Sequence, residues 1–546
     1  MTPSTEASTI GNQPRKMNLG AQFVRGYCWL ANREIFACTV ILALTLGLRA
    51  ALLPWLSVPQ PTVHDEFSYL LAADTYAHGR LTNPPHPFWQ HFETFHELMQ
   101  PTYASKYQPL QGLVLAFGQK FFGQPWIGVY LSAGFMCAAI CWMLQGWISP
   151  GWALLGALLF ALRVGVLSYW MNSYMGGAVP AIGGALALGA LARICWRRQF
   201  GHSFTWALGL VTVVLSRPYD AAVLGCSTLA ILVWFLRNLQ TPLPTVRLQI
   251  ARPALIVFAI CAAAVAYNDY RVTGHALTLP YQAHDRQYAV ASNFTMIPLR
   301  PVPQYHHAVM RQFWADWHVA EWRGARTHAL PLLLVELYVV ETFFFPFWTL
   351  FIPILLWPYA LVTAEERVTV FVLLVFLLSI IPLIATQPHY AAAFAGIFYL
   401  RFLHTLKRLW SWRPWGKPTG QLLGSFLVAV LLSNGFRFMA GRDIISQGFA
   451  QRDSAFGSVR HSIIEVLEKQ PGRQLVLLRY RSDHNPHEEW VYNNADIDAS
   501  QIVWAREMSP GQDRPFLEYF HDRKAWMLEP DQSPPKLSPY PHEAFR

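Results

Sequence analysis

Residues 35–57 read IFACTVILALTLGLRAALLPWLS, and the tripeptide His64-Asp65-Glu66 follows a few residues later. The first run stays apolar over the roughly 20 residues that a helix needs to cross a bilayer. Two adjacent acids where a membrane helix meets water cost free energy, so their presence there indicates a functional role. The stretch therefore predicts a first transmembrane helix, with a chemically special segment on the loop directly outside the membrane.

The composition of the whole chain agrees with a membrane protein. Of the 546 residues, 53% are hydrophobic and 14% are charged, whereas soluble domains have about 25% charged residues. The formal net charge of +10 comes mostly from basic loops of the kind that orient membrane proteins, so it does not indicate nucleic-acid binding. We expect membrane lipids as partners and no nucleic acid.

The apolar blocks predict about eleven transmembrane helices. Their predicted bounds are Ile35–Ser57, Pro125–Trp147, Gly151–Trp170, Gly177–Cys195, Phe204–Ser216, Ala221–Leu236, Pro253–Tyr270, Leu330–Trp357, Val368–Ala385, Ala391–Leu406 and Leu422–Met439. The predicted fold class is an all-α polytopic membrane protein with a small α/β domain at the C-terminal end.

The basic residues of the short connections predict the orientation. With residues 1–34 in the cytoplasm and eleven spans, the clusters near Arg197, Arg247 and Arg408 all lie inside. Residues 35–440 then form the membrane domain, and residues 58–124 and 271–327 are its large outer loops. Residues 441–546 form an outer domain, which gives an inner-membrane protein whose active face is periplasmic.

The outer segments also carry local structure signals. Residues 67–77 and Leu110–Phe122 predict two short amphipathic helices along the membrane surface. In the C-terminal segment, we expect a helix over Ser462–Lys469, strands over Gln474–Tyr480 and Ala525–Leu528, and a partly disordered end after Pro530. No large outer segment holds a cysteine and no Cys/His metal spacing occurs, so we predict neither a disulfide framework nor a metal site.

Polar residues of several outer connections fit one kind of chemistry, the transfer of a sugar from a polyprenyl phosphate. A carboxylate must take the proton of the acceptor, or orient the acceptor, and Asp65 or Glu66 fits that role. Cations must stabilise the departing phosphate, and the candidates are Lys106, Arg217, Arg271 and Arg300. Side chains that could contact substrate are His64, Tyr69, Trp170, Tyr174, Tyr219, Asp220, His389 and Tyr390.

The segment HDEFSYLLAADTYAHGRLTNPPHP, residues 64–87, resembles the Asp-Glu…Tyr…Ala…Gly motif of GT-C glycosyltransferases. The similarity is most specific to the bacterial members of family 39, which includes protein O-mannosyltransferases and the aminoarabinose transferases of lipid A. It covers residues 63–177 and is loose beyond them. The resemblance implies inverting transfer from a polyprenyl-phosphate sugar to a glycan, lipid or protein, with Asp65 as base or orienting acid and Glu66 as the second acid.

Two features depart from that group or stay open. The C-terminal segment has neither the WWDYG-like motif of oligosaccharyltransferases nor a β-trefoil pattern, so N-glycosylation is not expected. The cofactor is unknown: a divalent cation would need ligands beyond the acidic pair, and the motif requires none. The donor sugar and the acceptor are not given by the sequence.

Plainer interpretations exist for each residue. Asp65 and Glu66 could only cap the surface helix, and Arg217 with Asp220 could be a local ion pair at a turn. Lys106 could reach towards lipid headgroups, and His389 with Tyr390 could be structural.

Two other classes of protein also remain. A transporter or flippase would place charges deep in several spans and show repeat-related halves. A non-catalytic scaffold or assembly subunit would tolerate substitution of Asp65, whereas an enzyme would not.

Overall fold

The computed structural model describes residues 19–345, 362–439 and 450–541, and most of them are helical. The α-helices are Leu19–Ala31, Glu34–Ala51, His64–Ala77, Pro109–Phe122, Trp126–Trp147, Pro150–Phe160, Ala178–Arg197, Ser203–Val214, Pro218–Asn238, Leu243–Thr245, Arg252–Thr273, Pro280–Tyr288, Ala308–Arg311, His318–Thr327, Ala329–Phe344, Ala364–Ile380, Ala395–Ser411, Thr419–Met439, Ala450–Glu468 and Pro510–Tyr519. Shorter π- and 3₁₀-helical turns continue several of them, among them Ala161–Val166, Gln312–Trp317 and Pro388–Phe394.

Several of these helices identify the chain as a multi-pass membrane protein. Within the described residues, five helices have the length and hydropathy to cross a bilayer, namely Glu34–Ala51, Trp126–Trp147, Ala178–Arg197, Pro218–Asn238 and Leu243–Thr273. The bent pair Ala308–Thr327 and Ala329–Phe344, with an angle of 106° between its halves, would make a sixth. Three more predicted spans lie on the shorter apolar helices Pro150–Val166, Phe200–Val214 and Thr419–Ser433, so a count of eleven stays a prediction. The end of the predicted span Leu330–Trp357 lies outside the described residues.

The Gly- and Ala-rich helix Ala178–Arg197 lies at the centre of the helical packing. Of the 18-residue apolar stretch of this helix, 89% is buried. A methyl group at Gly184 would overlap the carbonyl of Ala393, and one at Gly183 would lie 2.6 Å from the carbonyl oxygen of Gly209. Small residues are what let helix backbones approach so closely in a membrane. This packing brings the ends of several helices, and the residues that follow them, close together at one end of the helical domain.

The first outer loop begins with the helix His64–Ala77, which is less exposed than we predicted. Phe67, Tyr69 and Leu71 are buried, although an amphipathic helix on the membrane surface would expose one side. The C-terminal segment covers the helix: the rings of Phe67 and Tyr492 stack with centroids 4.2 Å apart. Sequence periodicity cannot show a covering contact between residues 400 positions apart.

The second helix of this loop, Pro109–Phe122, keeps an exposed apolar face. Leu113, Phe117 and Phe121 recur every four residues and are each at least 45% exposed. Residues four apart lie on the same side of a helix, and the opposite side packs against the Asp65-bearing helix, where a methyl group at Gly112 would clash with Ala72. This arrangement agrees with the predicted amphipathic helix.

The C-terminal segment contains a four-stranded sheet. Its strands β3 (Arg473–Leu478), β4 (Ile502–Arg506), β5 (Arg523–Glu529) and β6 (Lys536–Pro539) are ordered β4-β3-β5-β6, with β6 alone antiparallel. Two further strands, β1 (Glu97–Leu98) and β2 (Ala104–Ser105), form a small hairpin in the first outer loop.

The sequence predicted β3 and β5 but not β4, β6 or the helix Pro510–Tyr519. It also predicted a partly disordered end after Pro530. The strand β6 lies within that stretch, and residues 542–546 lie outside the described residues. The predicted domain boundary near residue 441 lies outside the described residues.

Candidate active site

The acidic pair lies in the first turn of the helix His64–Ala77, and its two carboxylates do different things. Glu66 is 1% exposed and turns back over the start of its own helix. It accepts hydrogen bonds from the backbone N–H groups of Thr62 at 2.8 Å, Val63 at 3.2 Å and Tyr174 at 2.7 Å, and from the Thr62 hydroxyl at 3.1 Å. The capping alternative therefore describes Glu66, which also fastens the Tyr174 segment to the helix.

Asp65 projects away from these donors and makes none of the capping bonds. Its side chain is 34% exposed, and its Oδ1 accepts a hydrogen bond from the hydroxyl of Tyr107. The Nε2 atom of His96 lies 3.9 Å from Oδ2. Asp65 is thus a partly open carboxylate that one phenol orients, which is the geometry a general base needs.

Lys106 lies close to Asp65 in a buried aromatic setting. Its Nζ atom is 5.4 Å from the ring centroids of Tyr107 and Trp314 and 5.7 Å from that of Tyr281. Burial lowers the pKa of Lys106, and the Asp285 and Asp65 carboxylates oppose that fall. Within the described residues no carboxylate lies within 4 Å of this ammonium group, so it keeps its hydrogen-bond donors for another anion. The side chain is 6% exposed, which does not favour the plainer interpretation that it reaches towards lipid headgroups.

Arg217 contributes the second cation, immediately before the helix Pro218–Asn238. Its Nε atom donates to Asp220 at 2.6 Å, and its guanidinium carbon lies 4.1 Å over the ring of Tyr390. The ion pair predicted for a plain turn is present, and the same guanidinium also contacts the ring of Tyr390. The hydroxyls of Tyr69 and Tyr281 lie within electrostatic reach of both Arg217 and Asp65, and burial raises the pKa of both phenols.

The structure brings some of the predicted substrate-binding residues together and separates others. Asp65, Tyr69, Lys106, Arg217 and Tyr390 form one cluster. Asp220 pairs with Arg217 behind the cluster. His64 borders the cluster from the start of the helix that carries Asp65.

The remaining candidates have other surroundings. Arg271 is exposed and contacts the ring of Tyr267. Tyr219 donates to the carbonyl of Ser379 and Tyr174 to that of Pro59. The buried His389 pairs through Nδ1 with the hydroxyl of Tyr169 at 2.8 Å.

A cavity of about 240 Å³ lies on the far side of Glu66. Residues of the loop before the helix form one wall, and Tyr169, Asn172 and His389 form another. Ser458 of the C-terminal helix Ala450–Glu468 also lines it. The preceding residue packs tightly, since a methyl group at Gly457 would lie 2.7 Å from Thr62. The cavity is therefore shaped by four separate parts of the chain.

The described residues contain no group of three His, Cys, Asp or Glu side chains that could hold a metal ion. Glu66 has its oxygens engaged by four donors, so it does not supply a free ligand beside Asp65. Among the described residues, Asp65 therefore lacks the further free ligands that a divalent cation would need.

Sequence reasoning missed several neighbours of Asp65, chiefly Tyr107, Tyr281 and His96, and it missed Asp285 beside Lys106. Tyr107 follows Lys106 directly, so a search for aromatic residues next to the candidate cation would have found it. Tyr281 and Asp285 lie more than 200 positions away, on the helix Pro280–Tyr288. Only the fold brings that helix beside Asp65.

The arrangement of membrane helices with an α/β segment over them matches the fold called GT-C. The structure of ArnT from Cupriavidus metallidurans bound to undecaprenyl phosphate has this fold. It is similar to our chain at a TM-score of 0.52 and 11% sequence identity, with 93% of each chain covered. The class predicted from the sequence is confirmed at the level of the fold, and the narrower resemblance to family 39 stays a prediction.

Two more distant similarities carry no argument of their own. The apo state of ArnT matches at a TM-score of 0.48 and 11% identity, covering 94% of our chain and 93% of its own. The Archaeoglobus fulgidus oligosaccharyltransferase with Zn and sulfate matches at 0.46 and 13% identity, covering 90% of our chain and 67% of its own. No family model matches the sequence, and no curated protein is similar to it in sequence.

Proposed function

We propose that the chain is an inverting glycosyltransferase that moves a sugar from a polyprenyl-phosphate carrier to an acceptor outside the cytoplasm. The observation that carries this proposal is the partly exposed Asp65 carboxylate with two cations, Lys106 and Arg217, on the aromatic walls around it. The GT-C fold and a structural neighbour described with bound undecaprenyl phosphate support the same class of donor.

In this reaction the acceptor oxygen or nitrogen attacks the anomeric carbon of the sugar while the bond from that carbon to the phosphate oxygen breaks. Asp65 takes the proton of the attacking group, so the acceptor becomes a better nucleophile as the bond forms. The hydroxyl of Tyr107 holds one carboxylate oxygen and leaves the other free for the acceptor. The carbon is attacked from the side opposite the phosphate, which inverts it.

The two cations fit the leaving group. The departing polyprenyl phosphate gains negative charge, and donors already fixed in place stabilise that charge without reorganising. Arg217 is held by Asp220 and Tyr390, and Lys106 by three aromatic rings. A phosphate bound between them would present its sugar to Asp65. Glu66 acts on structure, since its four hydrogen bonds fix the turn that carries Asp65.

The place of the site in the membrane is part of the proposal. We assign the loops of residues 58–124 and 271–327 and the C-terminal segment to the periplasmic side of the inner membrane. The short contacts among these segments support their being on one side: His64 Nε2 donates to the carbonyl of Pro486 at 3.1 Å, and Gln312 donates to that of Ser482 at 3.0 Å. The acceptor is then a glycan, lipid or protein on that side.

The test is sugar transfer by the detergent-purified chain from radiolabelled undecaprenyl-phosphate sugars, comparing wild type with Asp65→Asn. The matched control is Asp74→Asn on the same helix, whose carboxylate accepts from Gln119 and from the backbone of Ala495. We expect transfer by wild type and by Asp74→Asn, and a loss of about 10²-fold or more in Asp65→Asn.

Equal transfer by wild type and Asp65→Asn would keep the enzyme and remove Asp65 as its base. No transfer by the wild type from any donor would favour the scaffold interpretation.

A further inference from the structure

His96 is the most unusual residue near Asp65. It is a non-glycine residue with φ of 61°, in the left-handed region that only a few per cent of non-glycine residues adopt, with asparagine, aspartate and histidine the commonest among them. It is also buried, with 8% exposure. Such strain persists only where surrounding structure enforces it, and it concentrates at functional sites. The mechanism above does not use His96.

The ring of His96 connects two regions. Its Nε2 atom faces Asp65 Oδ2 at 3.9 Å, and its Nδ1 atom has no hydrogen-bond partner within the described structure. The ring of His284 follows, with its centroid 6.2 Å from that of His96. His284 is completely buried and neither of its nitrogens has a hydrogen-bond partner among the described residues. Buried imidazole nitrogens are normally bonded, so three open ones in neighbouring rings need an explanation.

Asp285 completes the series on the other side. Its Oδ1 lies 3.6 Å from Nδ1 of His284, and its side chain is 29% exposed. The two histidines therefore lie between one carboxylate at the proposed reaction centre and another at the surface of the site. The gaps at the two carboxylates exceed a hydrogen bond by about 1 Å or less, which a rotation of one side chain can close.

We propose that His96 and His284 carry the proton that Asp65 has taken away to Asp285, which releases it to solvent. This inference rests on the proposed function. In each step an imidazole accepts a proton on one nitrogen and gives one up from the other. The net result is one proton moved from Asp65 to Asp285, with no change in charge or oxidation state of either histidine. Asp65 returns to its carboxylate form while the bound substrates still cover its open side.

The surroundings suit a transient carrier. Lys106, His64 and His318 face the pair from three other elements. Asp65 faces His96 from the His64 helix, and Asp285 faces His284 from the helix they share. Burial lowers the pKa of His284 to about 4, and burial with the nearby Lys106 lowers that of His96. Both rings rest in the neutral form, so a proton that enters is passed on. His96 and His284 act through Asp65 and do not touch the reacting atoms.

The experiment uses His96→Gly in the full chain, with the undecaprenyl-phosphate sugar that the wild type uses as donor. Glycine suits the left-handed backbone at this position, and its missing side chain leaves room for free imidazole. We expect kcat to fall at least tenfold with donor KM within about twofold, and added imidazole to restore kcat in a saturable way. His318→Asn is the matched control, a nearby buried histidine outside the series, and should keep near wild-type kcat without an imidazole effect.

His96→Asn guards against a merely structural role, because asparagine tolerates the same backbone but cannot relay a proton. It should be as slow as His96→Gly at a melting temperature close to wild type. Full activity in either variant would overturn the relay. A His96→Gly variant whose lost activity imidazole does not restore would also overturn it if His96→Asn is active. A wild type that transfers no sugar would instead overturn the proposed function, and the relay with it.

Discussion

Replacing Glu66 by glutamine separates the two acids of the His64-Asp65-Glu66 tripeptide. The substitution keeps the size of the side chain and replaces one carboxylate oxygen by an NH₂ group. In wild type, Oε2 receives three hydrogen bonds from Thr62 and Val63, and Oε1 receives one from the backbone of Tyr174. A glutamine that keeps the three bonds must point its NH₂ group at the N–H of Tyr174, which lies 2.7 Å from the wild-type oxygen.

The cost follows from that mismatch. A hydrogen bond to a charged group contributes roughly 1.5–3 kcal/mol, and a buried donor left unpaired costs about as much. If the amide turns the other way, its NH₂ group faces the three donors of Thr62 and Val63 and leaves them unpaired. That orientation costs more free energy. We therefore expect Glu66→Gln to destabilise the chain by about 3 kcal/mol. Asp65→Asn should cost much less, because Asp65 is partly exposed and an amide oxygen still accepts from Tyr107.

The assay is thermal unfolding of the purified chain in detergent, followed by tryptophan fluorescence, for wild type and both variants. Glu66→Gln should unfold at a clearly lower temperature, while Asp65→Asn unfolds near the wild-type temperature and loses transfer activity. The reverse pattern would refute the reasoning. A stable Glu66→Gln variant that is inactive would mean that Glu66, and not its hydrogen bonding, takes part in the chemistry.

Two other expectations follow from single residues. Lys106→Gln should weaken binding of undecaprenyl phosphate by about tenfold, because the site loses a cation that has no carboxylate partner. Titration with that lipid measures the affinity, and the exposed Lys120→Gln variant is the control. Equal affinities of wild type and Lys106→Gln would contradict this expectation. Burial lowers the pKa of His64 from 6.5 to about 4, so the folded chain resists protonation of this ring. The free energy of unfolding keeps its full value above pH 6.5 and falls by about 3 kcal/mol as the pH drops towards 4. Melting temperatures measured from pH 7.5 to 4.5 should fall less in His64→Asn than in wild type; parallel curves would contradict this.

The two helices of the first outer loop show the limits of prediction from periodicity. Pro109–Phe122 keeps the apolar face that its sequence indicates, since Phe117 and Phe121 are exposed. His64–Ala77 has a similar local pattern, yet Phe67 packs on Tyr492 of the C-terminal segment. Local pattern reports which side of a helix is apolar, but not whether lipid or protein covers that side.

The candidate site divides in the same way. Asp65 could be singled out because two adjacent acids after a membrane helix are costly, and Lys106 because it lies in the same loop. Their separate roles could not be derived, since the capping bonds of Glu66 depend on backbone groups of Thr62, Val63 and Tyr174. His96 gave no signal at all, because a left-handed backbone at a histidine has no sequence signature.

The sequence by itself determined that the chain is a membrane protein of many helices with an acidic site after the first, because hydropathy and charge act locally along the chain. Only the tertiary structure decided which residues surround that acid. Arg217, Tyr281 and Tyr390 come from three separate regions of the chain and lie around Asp65 only in the folded protein. Helix packing depends on the shapes of surfaces distant in sequence, and those shapes exist only in the folded chain.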